Sequence, residues 1–208
     1  MCFSPFASFT LAGFLSITGL LSSYYSRKNS SLFFLSIIPF IFALQQWCEG
    51  VVWVYGPNSD VGYWTGFLFF YIALAWWPFW MPLSVYRAEP NIRIKKLILP
   101  YLIAGLVWLM VATCAILMYP LSIQINNNII YSLAVPFDIS LFAIGVYLLL
   151  VAGPLLLTTI PYARIFALSI VSAFGISYWL WYHAFGSVWC FFAAWLSVLI
   201  VFMIRKNS

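Results

Sequence analysis

The chain has 208 residues, of which 65% are hydrophobic and 6% are charged, and its mean hydropathy is +1.04. A soluble domain is about one-quarter charged, so this composition excludes a water-soluble globular protein and predicts that the lipid bilayer is the solvent. The net charge of +5 is not gathered in a basic patch with exposed aromatic residues, which excludes nucleic-acid binding.

Seven apolar runs are long enough to cross the hydrocarbon core as helices, which takes about 20 residues each. Turn-forming or charged segments separate them. The sequence therefore predicts an all-α protein with one domain, 1–208, built as a bundle of seven transmembrane helices. The predicted spans are 5–25, 31–55, 62–86, 97–118, 138–160, 165–183 and 187–204. Asp60 and Asp138 stand where helices should begin, and we expect them to be capping residues.

The basic residues fall in alternate connections. If the N-terminus lies outside, all nine Lys and Arg lie in the first, third and fifth connections and the C-terminal tail. Because basic loops stay in the cytoplasm, the sequence predicts an outer (periplasmic) N-terminus and a cytoplasmic C-terminus.

Aromatic residues mark the predicted interfaces. Trp179 and Trp189 fall at the outer ends of the sixth and seventh spans, and three Trp residues lie within 76–82, towards the inner end of the third. We expect interfacial belts, where Trp is enriched. Pro78 and Pro82 have no N–H, so each leaves a backbone carbonyl of the preceding turn without its helical donor. A ligand cage at 76–82 is therefore the alternative.

The longest outer connection, 119–137, alternates apolar and polar residues on either side of three consecutive Asn. This period of two predicts a short β-hairpin or extended flap. It would either cover the outer mouth of the bundle or rest on the headgroups.

Two segments resemble one another, 33–38 in the second span and 166–171 in the sixth. This similarity favours a parallel repeat of three helices on each side of a linker helix (3+1+3). Chance similarity between apolar helices is the alternative.

A polar cluster interrupts the second span. Gln45 and Glu49 are one helical turn apart and share a face with Trp53, while Gln46 is adjacent. Ionisable residues inside a span are costly and are functional candidates by default. We therefore predict a ligand site from Gln45, Gln46, Glu49 and Trp53, together with His183 at the outer end of the sixth span.

Glu49 allows three interpretations. It is a neutral acid that donates a hydrogen bond between helices, a proton carrier in coupled transport, or a contact for a polar or cationic ligand.

The four cysteines, Cys2, Cys48, Cys114 and Cys190, all fall in the outer half. An oxidising periplasm would allow disulfides there. We favour Cys2 with Cys190, because both lie at helix ends, and buried free thiols are the alternative.

A metal site is not expected, because catalytic zinc usually takes three protein ligands and this chain has a single His. No cofactor is identified.

Four stretches together resemble an uncharacterised family of bacterial integral-membrane proteins that begin with Met-Cys-Phe-Ser. They are 1–4, 7–9, 45–50 and 187–194. The resemblance implies a bacterial inner-membrane location and draws attention to Cys2, Glu49 and Cys190, without naming a reaction. Pro5 stands where the resemblance leads us to expect a small residue such as Ala.

The leading functional hypothesis is binding or transport of a small molecule through a polar pocket in the outer half of the bundle. One alternative is a membrane-embedded enzyme or thiol-redox protein that uses Cys2, Cys190 and His183. Another is a receptor or accessory membrane subunit. The partners implied are the lipid bilayer and a small-molecule or lipid ligand.

Overall fold

The computed structural model describes residues 4–136, 141–180 and 184–207. Within these ranges the chain is mostly helical, and a helix occupies each of the seven predicted spans. Six of the described helices are long and apolar enough to cross a membrane, and a shorter apolar helix covers Phe142–Leu157. The elements are α1 (Pro5–Ser26), α2 (Ser30–Tyr55), α3 (Asp60–Ala88), α4 (Ile92–Met118), β1 (Leu121–Asn126), β2 (Asn128–Leu133), α5 (Leu141–Leu157), α6 (Ala163–Leu180) and α7, which comprises Phe185–Leu196 and Val198–Asn207.

Side-chain caps set the starts of α1 and α3. The Ser4 side chain accepts from the Ala7 backbone N–H, and Pro5 occupies the first turn of α1, where its missing N–H costs nothing. The expectation for Asp60 is wrong by one residue, because Ser59 caps α3 and Asp60 lies in the first turn. There its negative charge still favours the helix. Asp138 lies outside the described residues.

α1 and α2 pack antiparallel through glycines. A Cβ at Gly50 would lie 2.7 Å from the Phe9 ring of α1, and a Cβ at Gly19 would lie 2.8 Å from the Phe40 ring of α2. In each helix, therefore, a glycine leaves room for an aromatic ring of the other helix. Closer to the opposite end of the pair, the Ser22 hydroxyl donates to the Ser36 carbonyl over 2.6 Å.

Three of the tryptophans assigned to interfacial belts lie in the protein interior instead. Trp77, Trp80 and Trp189 are 4%, 8% and 7% exposed, and the Trp189 indole N–H donates to the Ile170 carbonyl over 3.2 Å. The belt expectation is therefore wrong for these three, because their large apolar area is buried between helices. Trp179, in contrast, is exposed.

α3 contains a π-helical turn, Ile72–Trp76, which ends two residues before Pro78. Proline has no N–H to donate to the preceding turn, and two side chains supply the missing donors. The Trp108 indole N–H donates to the Leu74 carbonyl over 2.9 Å, and the Tyr147 hydroxyl donates to the Ala73 carbonyl over 2.6 Å. These two carbonyls therefore join α3 to α4 and α5.

The predicted hairpin is confirmed. β1 and β2 pair antiparallel with Ile123 opposite Tyr131. Ile123 packs with Val52 of α2 and Phe67 of α3 in one apolar cluster. We call this the hairpin end of the bundle and the opposite end, where every Lys and Arg lies, the basic end.

Large apolar side chains are exposed on all seven described helices. They include Leu20, Val54, Leu68, Val111, Leu149, Leu168 and Phe202. An apolar surface of this extent is typical of a protein that faces lipid.

Candidate functional site

Glu49 is completely buried in the half of α2 nearer the hairpin end. Its Oε1 accepts a short hydrogen bond from the Ser187 hydroxyl at the start of α7. Its Oε2 accepts from Gln46 Nε2 over 3.1 Å. The carboxyl therefore connects α2 to α7 inside the bundle.

Gln45 forms the second half of the cluster and is also completely buried. Its Oε1 accepts from the Trp77 indole N–H over 3.0 Å, and its Nε2 lies 3.9 Å from the Cys190 sulfur. The Trp77 ring stacks on Phe42, with 4.3 Å between ring centroids. These contacts hold α2, α3 and α7 together around one amide.

Three buried polar atoms around Glu49 have no hydrogen-bond partner among the described residues. They are Gln46 Oε1, the Trp53 indole nitrogen and the Ser8 hydroxyl. Ser8 lies level with Gly50, because Phe9 contacts Gly50 across the antiparallel pair. Unsatisfied buried polar groups cost about 1–3 kcal/mol each, so the site favours a polar guest or water that would satisfy them.

One side chain of the hairpin packs beside this cluster. The Tyr131 ring of β2 stacks on Phe69 of α3, with 4.8 Å between centroids. Cys48 and Cys190 pack in the same apolar cluster as these two rings. Tyr131 therefore packs against the same parts of α2 and α7 that carry Gln45 and Cys190.

The site is closed in this conformation. The described cavity that adjoins it measures about 20 Å³ and is lined by residues that include Trp77, Tyr147 and Cys190. That space admits about one water molecule. A larger groove of about 450 Å³ lies elsewhere, between α6 and α7.

The remaining predicted site residues stand as follows. Trp53 lies one turn beyond Glu49 and is half-buried. His183 and Cys2 lie outside the described residues, so the Cys2–Cys190 disulfide stays a prediction. Cys48 and Cys190 are buried, and Cys114 is exposed. Within the described part of the chain, no group of three or more His, Cys, Asp or Glu could hold a metal ion.

Sequence reasoning missed two partners of the cluster, Ser187 and Trp77. Ser187 opens the seventh span in the same half of the bundle as Glu49, and that placement was a usable signal. Trp77 could not be found in this way, because the π-helical turn before it changes the direction in which α3 presents its side chains.

A second buried carboxyl, Glu89, ends α3 at the basic end and is 1% exposed. Its Oε2 accepts from the Thr158 hydroxyl over 2.6 Å and from the Thr159 N–H over 2.8 Å. Its Oε1 accepts from the Thr159 hydroxyl and the Asn91 N–H, each over 2.8 Å.

Burial of the Glu89 carboxyl on its own raises its pKa. The hydrogen bonds from Thr158, Thr159 and Asn91 outweigh burial and lower the pKa below its ordinary value. Glu89 is therefore a satisfied structural carboxylate that joins the α3–α4 and α5–α6 connections.

Fold and site together define a helical protein suited to a membrane, with a closed polar cluster around one buried carboxyl. The chain belongs to a family of unknown function, DUF6629, whose model matches residues 1–208. No curated protein and no solved structure matches the chain. The expectation of an uncharacterised family is thereby confirmed.

Proposed function

We propose that this is a multi-pass membrane protein that binds a small polar or cationic molecule at the Glu49 cluster and transports it. We place it in a bacterial inner membrane, with seven spans, the hairpin end outside and the basic end in the cytoplasm. The positive-inside rule supports this orientation, because all nine basic residues lie at one end.

The observation that carries the proposal is the complete burial of the Glu49 carboxyl inside an apolar span. An ionisable group at the bilayer centre costs about 2.5–3.5 kcal/mol on insertion scales. A bound proton or a cationic group of a guest would offset this cost.

The unpartnered atoms favour a guest over a purely structural role. Gln46 Oε1 offers an acceptor, and the Trp53 indole N–H offers a donor. The Glu49 cluster keeps these polar atoms available inside the bundle.

Native mass spectrometry of the protein purified in mild detergent tests this proposal. Wild type is expected to carry a discrete bound mass, and Glu49→Gln is expected to lose it, because the neutral amide removes the charge while keeping the shape. Asp60→Asn removes the same charge from an exposed position near the hairpin end and should retain the mass. A wild-type protein without bound mass, or a Glu49→Gln variant that keeps it, would contradict the proposal.

A further inference from the structure

Five cations from three separate segments meet at the basic end, beside α1 and α7. The Asn29 side chain donates to the Asn207 carbonyl over 3.5 Å, which joins the α1–α2 turn to the end of α7. The Arg205 guanidinium lies 6.0 Å from the centroid of the Tyr25 ring of α1. We call this group the α1–α7 basic cluster; it comprises Arg27, Lys28, Arg164, Arg205 and Lys206.

Aromatic rings position the cluster at the level of an interface. Lys206 Nζ lies 5.2 Å from the Tyr162 ring centroid, which brings the end of α7 to the connection that carries Arg164. Arg27 lies 5.7 Å from the Tyr24 ring centroid. Tyr24 and Tyr162 are exposed, and exposed Tyr is typical of the headgroup level of a membrane.

The chain supplies little negative charge to neutralise this cluster. Among the described residues, Glu89 is the only carboxylate at the basic end. Its two oxygens already accept from Thr158, Thr159 and Asn91. Among the described residues, no carboxylate side chain is therefore left to pair with Arg164 or Lys206, and an external anion suits these two cations.

An apolar groove begins next to the cluster. It has a volume of about 450 Å³ and is bordered on α6 by Ile165, Leu168, Ser172 and Ile176. Ile165 follows Arg164 directly in the chain, so the groove starts where the positive charge ends. From Ile165 to Ile176 it rises by about 17 Å along the helix, close to half of a hydrocarbon core of about 30 Å.

We propose that the protein binds one anionic phospholipid here. The headgroup phosphate lies at the α1–α7 basic cluster, and an acyl chain lies along the groove between α6 and α7. The planar guanidinium of Arg164 suits a phosphate, and the groove matches the depth of one leaflet. The site requires only that the chain spans a membrane and does not depend on a function for Glu49.

The test measures lipid retention by native mass spectrometry after reconstitution with phosphatidylglycerol or phosphatidylcholine of identical chains. Wild type is expected to retain phosphatidylglycerol preferentially. The double variant Arg164→Gln/Lys206→Gln should lower this preference by about fivefold for each cation removed. The double variant Arg93→Gln/Lys96→Gln removes the same charge from α4 at the same end and should keep the preference.

A second pair of variants tests the groove. Ser172→Phe places a ring in it and should lower retention, whereas Val171→Phe adds the same ring to an exposed neighbour that does not line the groove. Thermal melting checks that each variant folds. The proposal would be overturned if wild type retained both lipids equally or if the α4 control lost the preference to the same extent. It would also be overturned if a folded Ser172→Phe protein retained the lipid fully. Displacement of the lipid by inorganic phosphate alone would also overturn it, since the site would then recognise a free anion.

Discussion

Two buried carboxyls in one chain have opposite surroundings. Glu89 accepts four hydrogen bonds from its own protein, and the fold holds it ionised. Glu49 accepts from Ser187 and Gln46 in a layer where neighbouring polar atoms lack partners. The unsatisfied polar atoms at its level, rather than its burial alone, make Glu49 a candidate functional acid.

The lowered pKa of Glu89 predicts how stability depends on pH. An acid whose folded-state pKa lies below its unfolded value stabilises the protein above the unfolded pKa, about 4.3 for Glu. This contribution disappears as the pH falls through the folded-state pKa. Thermal melting of wild type between neutral pH and about pH 3 should show the loss.

The variant Glu89→Gln isolates this contribution from those of the other acids. It should be less stable than wild type at neutral pH by about 1.5–3 kcal/mol, the cost of weakening a charge-assisted hydrogen bond. The two melting curves should converge at low pH, where the wild-type carboxyl is protonated. A constant difference across the whole pH range would show that Glu89 does not titrate as inferred.

At the level of single residues, the sequence predicted the polar residues of α2 in the site but not the side chains that bond to them. Gln45, Gln46 and Glu49 were identifiable because polar residues inside an apolar run are costly. Glu89 was not singled out, because it stands in a charged connection where a solvated acid is ordinary. Its donors, Thr158 and Thr159, are about 70 residues away in the chain, so only tertiary structure brings them together.

At the scale of elements, hydrophobicity predicted the helices well and their ends less well. α1 and α2 begin and end within a residue of the predicted spans, because turn residues bound them. α4 begins at Ile92 rather than 97, since the Asn91 side chain caps it and the first turns include Lys95 and Lys96. Long basic side chains reach towards the interface from inside a helix, so charge alone does not mark its end.

The crossing of α3 and α4 depends on Gly105. A Cβ there would overlap the carbonyl oxygen of Pro78, which is backbone and cannot rotate away. Gly105→Ala should therefore destabilise the protein by about 1–3 kcal/mol, the usual cost of overpacking. Thermal melting in detergent measures the change.

Gly145→Ala is the matched control for that substitution. Gly145 lies in α5, and a Cβ there would meet nothing within 4 Å. Since Ala is favoured over Gly inside a helix by about 1 kcal/mol, this variant should be neutral or more stable. Equal destabilisation by both substitutions would show that the close approach at Pro78 is not the cause.

For the whole molecule, the proposed orientation predicts which loops a membrane-impermeant thiol reagent reaches in intact cells. Asn127→Cys at the hairpin tip should be labelled, because it lies at the end proposed to face outward. Asn91→Cys, between α3 and α4, should be labelled only after the cells are opened. Wild type sets the background from the native cysteines, and the reverse labelling pattern would invert the orientation.

Because of the π-helical turn in α3, the hydrogen bond from Trp77 to Gln45 depends on how many residues α3 contains. A π-helical turn closes i→i+5 bonds where an α-helix closes i→i+4, so it already holds an extra residue, and each residue advances a helix by about 100°. One more residue inserted in Ile72–Trp76 would rotate the part of α3 after the turn relative to the part before it. Trp77 would then point away from Gln45, although no residue that contacts Glu49 had changed. In this segment a change in length would be more damaging than most changes in side chain, whereas the tip of the hairpin, at Asn127, is where an insertion would do least harm.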